Sequence, residues 1–151
     1  MYLSKRKVIL VTSISALVFF FTYTDIKSQD IKINGDKIRF SGIDTPELKQ
    51  TCTKDGEKIF CGLNAKKILV DKIGNKKVTC VKEGKDRYKR ILAECFVNND
   101  SLSSYLVRSG YAFAYRKYSK KFISDEEFAK SNKLGMWSME FDYPWDWRKK
   151  N

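Results

Sequence analysis

Two arginines and a small group of carboxylates carry the chemistry that this sequence offers. Arg39, Asp44 and Glu47 fall within the run Ile38-Arg39-Phe40-Ser41-Gly42-Ile43-Asp44-Thr45-Pro46-Glu47. There an alternating segment meets Gly42 and Pro46, so a strand runs into a turn with the three charged groups beside it. A second arginine, Arg90, closes Asp86-Arg87-Tyr88-Lys89-Arg90 just before another apolar, alternating segment, and a neighbouring strand would deliver it to the same place. A guanidinium presents a planar fork that matches two phosphate oxygens, which a lysine ammonium does not. Cations preorganised around a phosphodiester stabilise the charge that concentrates on its non-bridging oxygens during attack. Arg39 and Arg90 therefore suit the phosphate, and Glu47 suits the general base that activates or orients the attacking water.

Composition removes the rivals of that reading. The 151 residues include no histidine, which excludes a histidine general base, a histidine phosphoenzyme, a histidine-ligated metal and a serine–histidine hydrolase. Carboxylates, arginines and a hard cation remain for phosphodiester chemistry. The length suits one domain with a modest core. Thirty Lys and Arg against 18 Asp and Glu give a net charge of +12, which favours a polyanionic partner such as nucleic acid or an anionic membrane surface.

The N-terminus reads as a targeting segment. Lys5, Arg6 and Lys7 precede an uncharged, largely apolar run over residues 8–21, and Asp25 ends the apolar character. That is the layout of a secretory signal. No small-x-small cleavage site follows, so residues 1–28 read as a signal peptide or an uncleaved signal anchor that engages the membrane or the export machinery, with a buried N-terminal element as the other reading. Residues 29–151 would then be the folded part, secreted, periplasmic or tethered outside the cytoplasm. The cysteines agree with that compartment. Cys52, Cys61, Cys80 and Cys95 are even in number and form no Cys-x-x-Cys pair, and four cysteines allow three pairings. If residues 76–81 and 91–97 form a hairpin turning through Glu83-Gly84-Lys85-Asp86, Cys80 stands opposite Cys95 at disulfide distance. Cys52–Cys61 then closes the polar loop between them. Four reduced, buried cysteines are the other reading.

The elements that must position these groups are short strands followed by short helices. Residues 31–33 and 37–40 alternate about Asn34-Gly35, a two-residue hairpin signal. Residues 62–73 have a helical apolar pattern that stops at Gly74. Asp100 or Ser101 caps a helix whose Leu102, Leu106 and Val107 face inward and which Gly110 ends. Ser124-Asp125-Glu126-Glu127 predicts a capping box and a third helix to about Asn132. Hairpins with a few helices outside them predict an α+β domain, a small closed barrel packed by about three helices.

The two charged segments resemble the staphylococcal nuclease (thermonuclease) family. Arg39 to Glu47 match that family's Arg-x-x-x-x-Asp-Thr-Pro-Glu pattern, and Asp86 to Arg90 match its Asp-x-Tyr-Gly-Arg pattern with Lys89 in place of glycine. The resemblance implies a five-stranded oligonucleotide-binding (OB) barrel and a metal-dependent endonuclease, with calcium as the metal, acting on DNA or RNA as a monomer. It implies Arg39, Glu47 and Arg90 as catalytic residues, Asp44 and the Thr45 carbonyl as calcium ligands, and Tyr88 beside the substrate. Tyr115 and Tyr118, set among Arg116, Lys117, Lys120 and Lys121, suit base stacking in a single-strand groove. One position departs from the pattern. Members carry Asp-Gly-Asp-Thr at the end of the first strand, and here Lys27-Ser28-Gln29-Asp30 falls there, so Gln29 replaces a ligand aspartate. A glutamine oxygen can coordinate calcium but brings no negative charge. Asp30 would point to the opposite face of a regular strand unless a bulge turned it inward, and Asp25 would have to fold back. The ending Pro144-Trp145-Asp146-Trp147-Arg148 resembles that of some exported bacterial relatives, and it reads as packing. A non-catalytic nucleic-acid-binding barrel, favoured by Gln29, and a basic envelope protein are the alternatives to the enzyme.

Overall fold

The computed structural model describes residues 26–27 and 29–151. The apolar run at residues 8–21 and Asp25 lie outside the described residues.

Strands β1 (Asp30–Ile33) and β2 (Asp36–Phe40) form the expected hairpin. Asn34 and Gly35 have φ of 49° and 90°, the left-handed pair that a tight two-residue turn requires. Alternation then sorts the side chains: Ile31, Ile33, Ile38 and Phe40 are buried, while Asp30 and Arg39, which are cross-strand partners, share the other face. β3 (Ile43–Asp44) follows, then a small hairpin of β4 (Cys52–Lys54) and β5 (Glu57–Ile59), then helix α1 (Cys61–Ile73), which ends at Gly74. β6 (Val78–Lys85) pairs antiparallel with β7 (Ile91–Val97), and β8 (Asp100–Ser101) adds to β7. Next come α2 (Leu102–Arg108), β9 (Phe113–Ala114), α3 (Ile123–Ser131), a 3-10 turn at Gly135–Ser138 and α4 (Pro144–Lys150).

The fold is α+β. Its five-stranded sheet runs β1-β2-β7-β6 with β8 on β7, and β3 pairs separately with β9. This arrangement is consistent with an OB-type barrel, although its ladders form an open path among the described residues. β2 and β7 are parallel, with Arg39 opposite Leu92, so the residue leading into β7 arrives beside Arg39.

Three local expectations need correction. The β6–β7 turn lies at residues 86–90, and Glu83-Gly84-Lys85 belongs to the strand, because a bulge between Lys82 and Gly84 shifts the register by one residue. Cys80 still faces Cys95 across the ladder, and both disulfides, Cys80–Cys95 and Cys52–Cys61, are formed. Ser124 does not cap α3: the helix starts at Ile123 with no side-chain cap. Glu126 instead turns inward, accepting from the Ala114 N–H at 3.0 Å and pairing with Arg116 at 2.5 Å. Finally there are four α-helices among the described residues rather than about three, the addition being α4. Its Pro144 sits in the first turn, where the missing N–H costs nothing.

Two apolar clusters result among the described residues. The larger joins the sheet to α1 and α2 through Ile31, Phe40, Leu69, Leu102 and Leu106, and includes Ile26. The smaller gathers the Cys52–Cys61 disulfide, Phe113 and Met136 under Trp137, Phe141, Tyr143 and Trp145. Phe113 is its hub, with ring centroids 5.4 Å from Trp137, 5.3 Å from Phe141 and 5.1 Å from Tyr143. Backbone bonds between Thr53 and Glu140, at 2.9 and 2.8 Å, fasten the tail to the β4 edge.

The loop carrying Glu47 rests directly on α1. A Cβ at Gly62 would stand 1.8 Å from the Glu47 carbonyl oxygen, so only glycine allows helix and loop to meet. Gly62→Ala is expected to destabilise the fold by about 3 kcal/mol, read as a lowered midpoint in denaturant. An unchanged midpoint would show that this contact is not tight.

Candidate active site

Arg39 and Arg90 meet because β2 and β7 are adjacent. Their guanidinium groups share one carboxylate: Asp30 lies 3.7 Å from Arg39 Nη1 and 3.3 Å from Arg90 Nη1. The turn before β7 aims Arg90. Asp86 accepts from the backbone N–H groups of Tyr88 and Arg90, each at 2.9 Å, and from Arg90 Nε at 2.7 Å. Burial opposes the Asp86 charge, but these bonds outweigh it and hold its carboxyl below the usual range. Lys89, which replaces the pattern's glycine, has φ of 63°. That left-handed conformation costs a non-glycine residue roughly 1 kcal/mol, and the Asp86 bonds are what sustain it.

Asp44 ends β3 beneath this pair, its side chain 1% exposed. Arg39 Nη2 approaches it at 3.6 Å. Gln29 is buried beside it: the Thr45 N–H donates to Gln29 Oε1 at 3.3 Å, and Gln29 Nε2 donates to Asp44 Oδ1 at 3.4 Å. Asp30 and Gln29 thus divide the tasks left open by the sequence. Because β1 begins at Asp30, strand alternation does not separate the two, and both line the cleft. Asp30 compensates the arginines while Gln29 faces Asp44.

Glu47 stands at the edge of the same cleft with its side chain 41% exposed. Its backbone is pinned by Gln50, whose Oε1 accepts from the Glu47 N–H at 3.2 Å and whose N–H donates to the Glu47 carbonyl at 2.8 Å. Gln50 Nε2 in turn donates to the Asp142 carbonyl at 2.7 Å, tying this loop to the C-terminal tail. The cleft, about 1290 Å³, brings together Arg39, Glu47 and Arg90 with Tyr88, Tyr115 and Tyr118. Tyr88 is 64% and Tyr118 71% exposed. Tyr88 lies against the guanidinium groups of Arg87 and Arg90 at 4.8 and 5.5 Å, and Tyr115 packs on Tyr118 at 5.0 Å. Phe113, by contrast, is core.

One participant escaped the sequence reading. Arg148, in the tail assigned to packing alone, reaches the centre of the site: its Nη2 lies 2.6 Å from Asp44 Oδ2, and its Nη1 lies 3.2 Å from Asp44 Oδ1 and 2.9 Å from Glu47 Oε1. Burial opposes the charge on this guanidinium, but its hydrogen bonds to Asp44 and Glu47 raise its pKa above the ordinary arginine value. No local signal marks it, since 101 residues separate it from Glu47.

This arrangement bears on the metal that the resemblance implies. Among the described residues no group of three or more carboxylate or cysteine side chains could hold an ion. Both Asp44 oxygens accept from Arg148, and the Gln29 oxygen accepts from Thr45. As arranged, the donor set fits a guanidinium and not a divalent ion, which needs six to eight free oxygen ligands if it is calcium.

Comparison with known proteins places the chain. The family model described as "Staphylococcal nuclease homologue" matches residues 37–139. An uncharacterized endonuclease of Haemophilus influenzae is 32% identical over 104 residues, covering 68% of this chain and 53% of that protein. A probable staphylococcal-like nuclease of Oryza sativa is 31% identical over 116 residues, covering 75% of this chain and 28% of that protein. A staphylococcal-like nuclease of Arabidopsis thaliana is 28% identical over 126 residues, covering 82% of this chain and 36% of that protein. The chain spans about half or less of the length of these relatives. Both charged motifs and most of the sheet lie within the matched region, and the chain belongs to the staphylococcal nuclease homologue family.

Proposed function

We propose that this protein is an exported endonuclease that hydrolyses phosphodiester bonds of DNA or RNA. The observation that carries the reading is the convergence of Arg39, Arg90 and Glu47 on one cleft. The names of the relatives, nuclease and endonuclease, support it. In this reading the two guanidinium groups grip the scissile phosphate and stabilise the charge gathering on its oxygens. Asp30 and Asp86 hold them in place before substrate arrives. Glu47 takes the proton of the attacking water. Tyr88, Tyr115 and Tyr118 offer stacking faces to neighbouring bases, and the net charge of +12 draws the polyanion in. The N-terminal segment supports export by signal peptide or anchor, as do the disulfides. The protein would act as a monomer.

Calcium, if it binds, would have Asp44, the Thr45 carbonyl and Gln29 as ligands and would need Arg148 to leave Asp44. The chemistry above is therefore assigned to the arginines and Glu47 alone. Gln29 favours a second reading, a nucleic-acid-binding module without cleavage, because a neutral, hydrogen-bonded amide stands where a ligand carboxylate is usual.

Glu47→Gln decides between these readings. In the enzyme it lowers cleavage of single-stranded DNA by at least about 100-fold and leaves DNA affinity within about twofold. If the wild-type protein cuts neither DNA nor RNA, with calcium, other divalent ions or chelator, yet binds them, the second reading holds. Binding by either must also weaken steeply as salt rises, with a slope that falls by about one in Arg39→Ala or Arg90→Ala. A salt-independent affinity would rule out phosphate contacts by these residues.

A further inference from the structure

We propose that Arg148 is the built-in cation of this site, competing with any divalent ion for Asp44, so that its contact with Asp44 and binding of such an ion exclude one another. A carboxylate as buried as Asp44 requires a counter-charge close by. Arg39 supplies little of it, standing 3.6 Å away and dividing its charge with Asp30. Gln29 supplies none. Arg148 meets both Asp44 oxygens and reaches Glu47 with the same Nη1, so one guanidinium neutralises the two carboxylates.

The position of Arg148 is set by its helix. Tyr143 stacks on Trp145 at 4.6 Å, Trp145 lies parallel to Tyr115 at 6.2 Å, and Gln50 holds the Asp142 carbonyl. These contacts start α4 at a fixed angle, and Arg148 and Trp147 then line the cleft. The guanidinium itself is 37% exposed, so it can leave for solvent without unfolding the core. The inference rests on the proposed nuclease reading, in which Asp44 is the carboxylate that would hold a divalent ion.

Calorimetric titration of the full-length protein with calcium chloride tests it without recourse to cleavage, so failure of the nuclease reading and failure of the competition are distinguishable. Arg148→Ala is expected to bind calcium at least about tenfold more tightly than wild type, the scale of one lost charged hydrogen bond. Arg148→Lys should fall between the two. Lys149→Ala removes the same charge one residue away, from a side chain paired with Asp146, and should stay within about twofold of wild type. Calcium should also shift the tryptophan emission of wild type more than that of Arg148→Ala. Should Arg148→Ala fail to fold by circular dichroism, Arg148→Gln carries the same comparison. Equal or weaker calcium binding without Arg148, an equal gain in Lys149→Ala, or no calcium binding by either protein would overturn the proposal.

Discussion

Asp44 is a carboxylate almost cut off from water, and a buried charge is tolerated only when opposite charge and hydrogen bonds replace its hydration. The centre of the molecule is arranged around that requirement. Arg39 approaches from the sheet, Gln29 from the residue before β1, and Arg148 from the last helix. Each comes from a different part of the chain, so the site forms only when all three have docked. The same convergence lays Arg39 and Arg148 along the cleft that Glu47 lines.

The aromatic cluster is the mechanical counterpart of this electrostatic centre. Phe113 opens β9, whose partner strand β3 carries Asp44, and the register sets Asp44 opposite Phe113. Phe113 thus anchors Trp137, Phe141 and Tyr143 while its cross-strand neighbour Asp44 takes the charge that α4 delivers. The Cys52–Cys61 disulfide lies in the same cluster and closes the hairpin between the Glu47 loop and α1. Rigidity of the loop therefore has covalent, apolar and hydrogen-bonded sources, and Gly62 lets the helix approach closely enough to use them.

Asp30 and Asp86 hold the arginines oriented but still partly exposed, as the proposed phosphate site would need. Neither ion pair is buried enough to contribute much to stability. Under the proposed function their value would lie in ordering long side chains before a phosphate arrives, which would remove part of the entropy cost of gripping it.

Local chemistry in the sequence was enough to determine the hairpin at Asn34-Gly35, the helix stopping at Gly74, a cap at Asp100 or Ser101, the Cys80–Cys95 pairing and the meeting of Arg39, Glu47 and Arg90 in one place. These depend on turn conformation, periodicity and neighbours a few residues apart. The bulge that moved the β6–β7 turn, the inward turn of Glu126 and the fate of Gln29 and Asp30 were settled by packing, where a strand's partner and not its own pattern fixes which way a side chain faces. Arg148 lies furthest from prediction. Its role depends on a helix held by aromatic contacts to Tyr115 and Phe113 and on a carboxylate 104 residues away, and charge compensation over such a separation has no signature until the chain has folded.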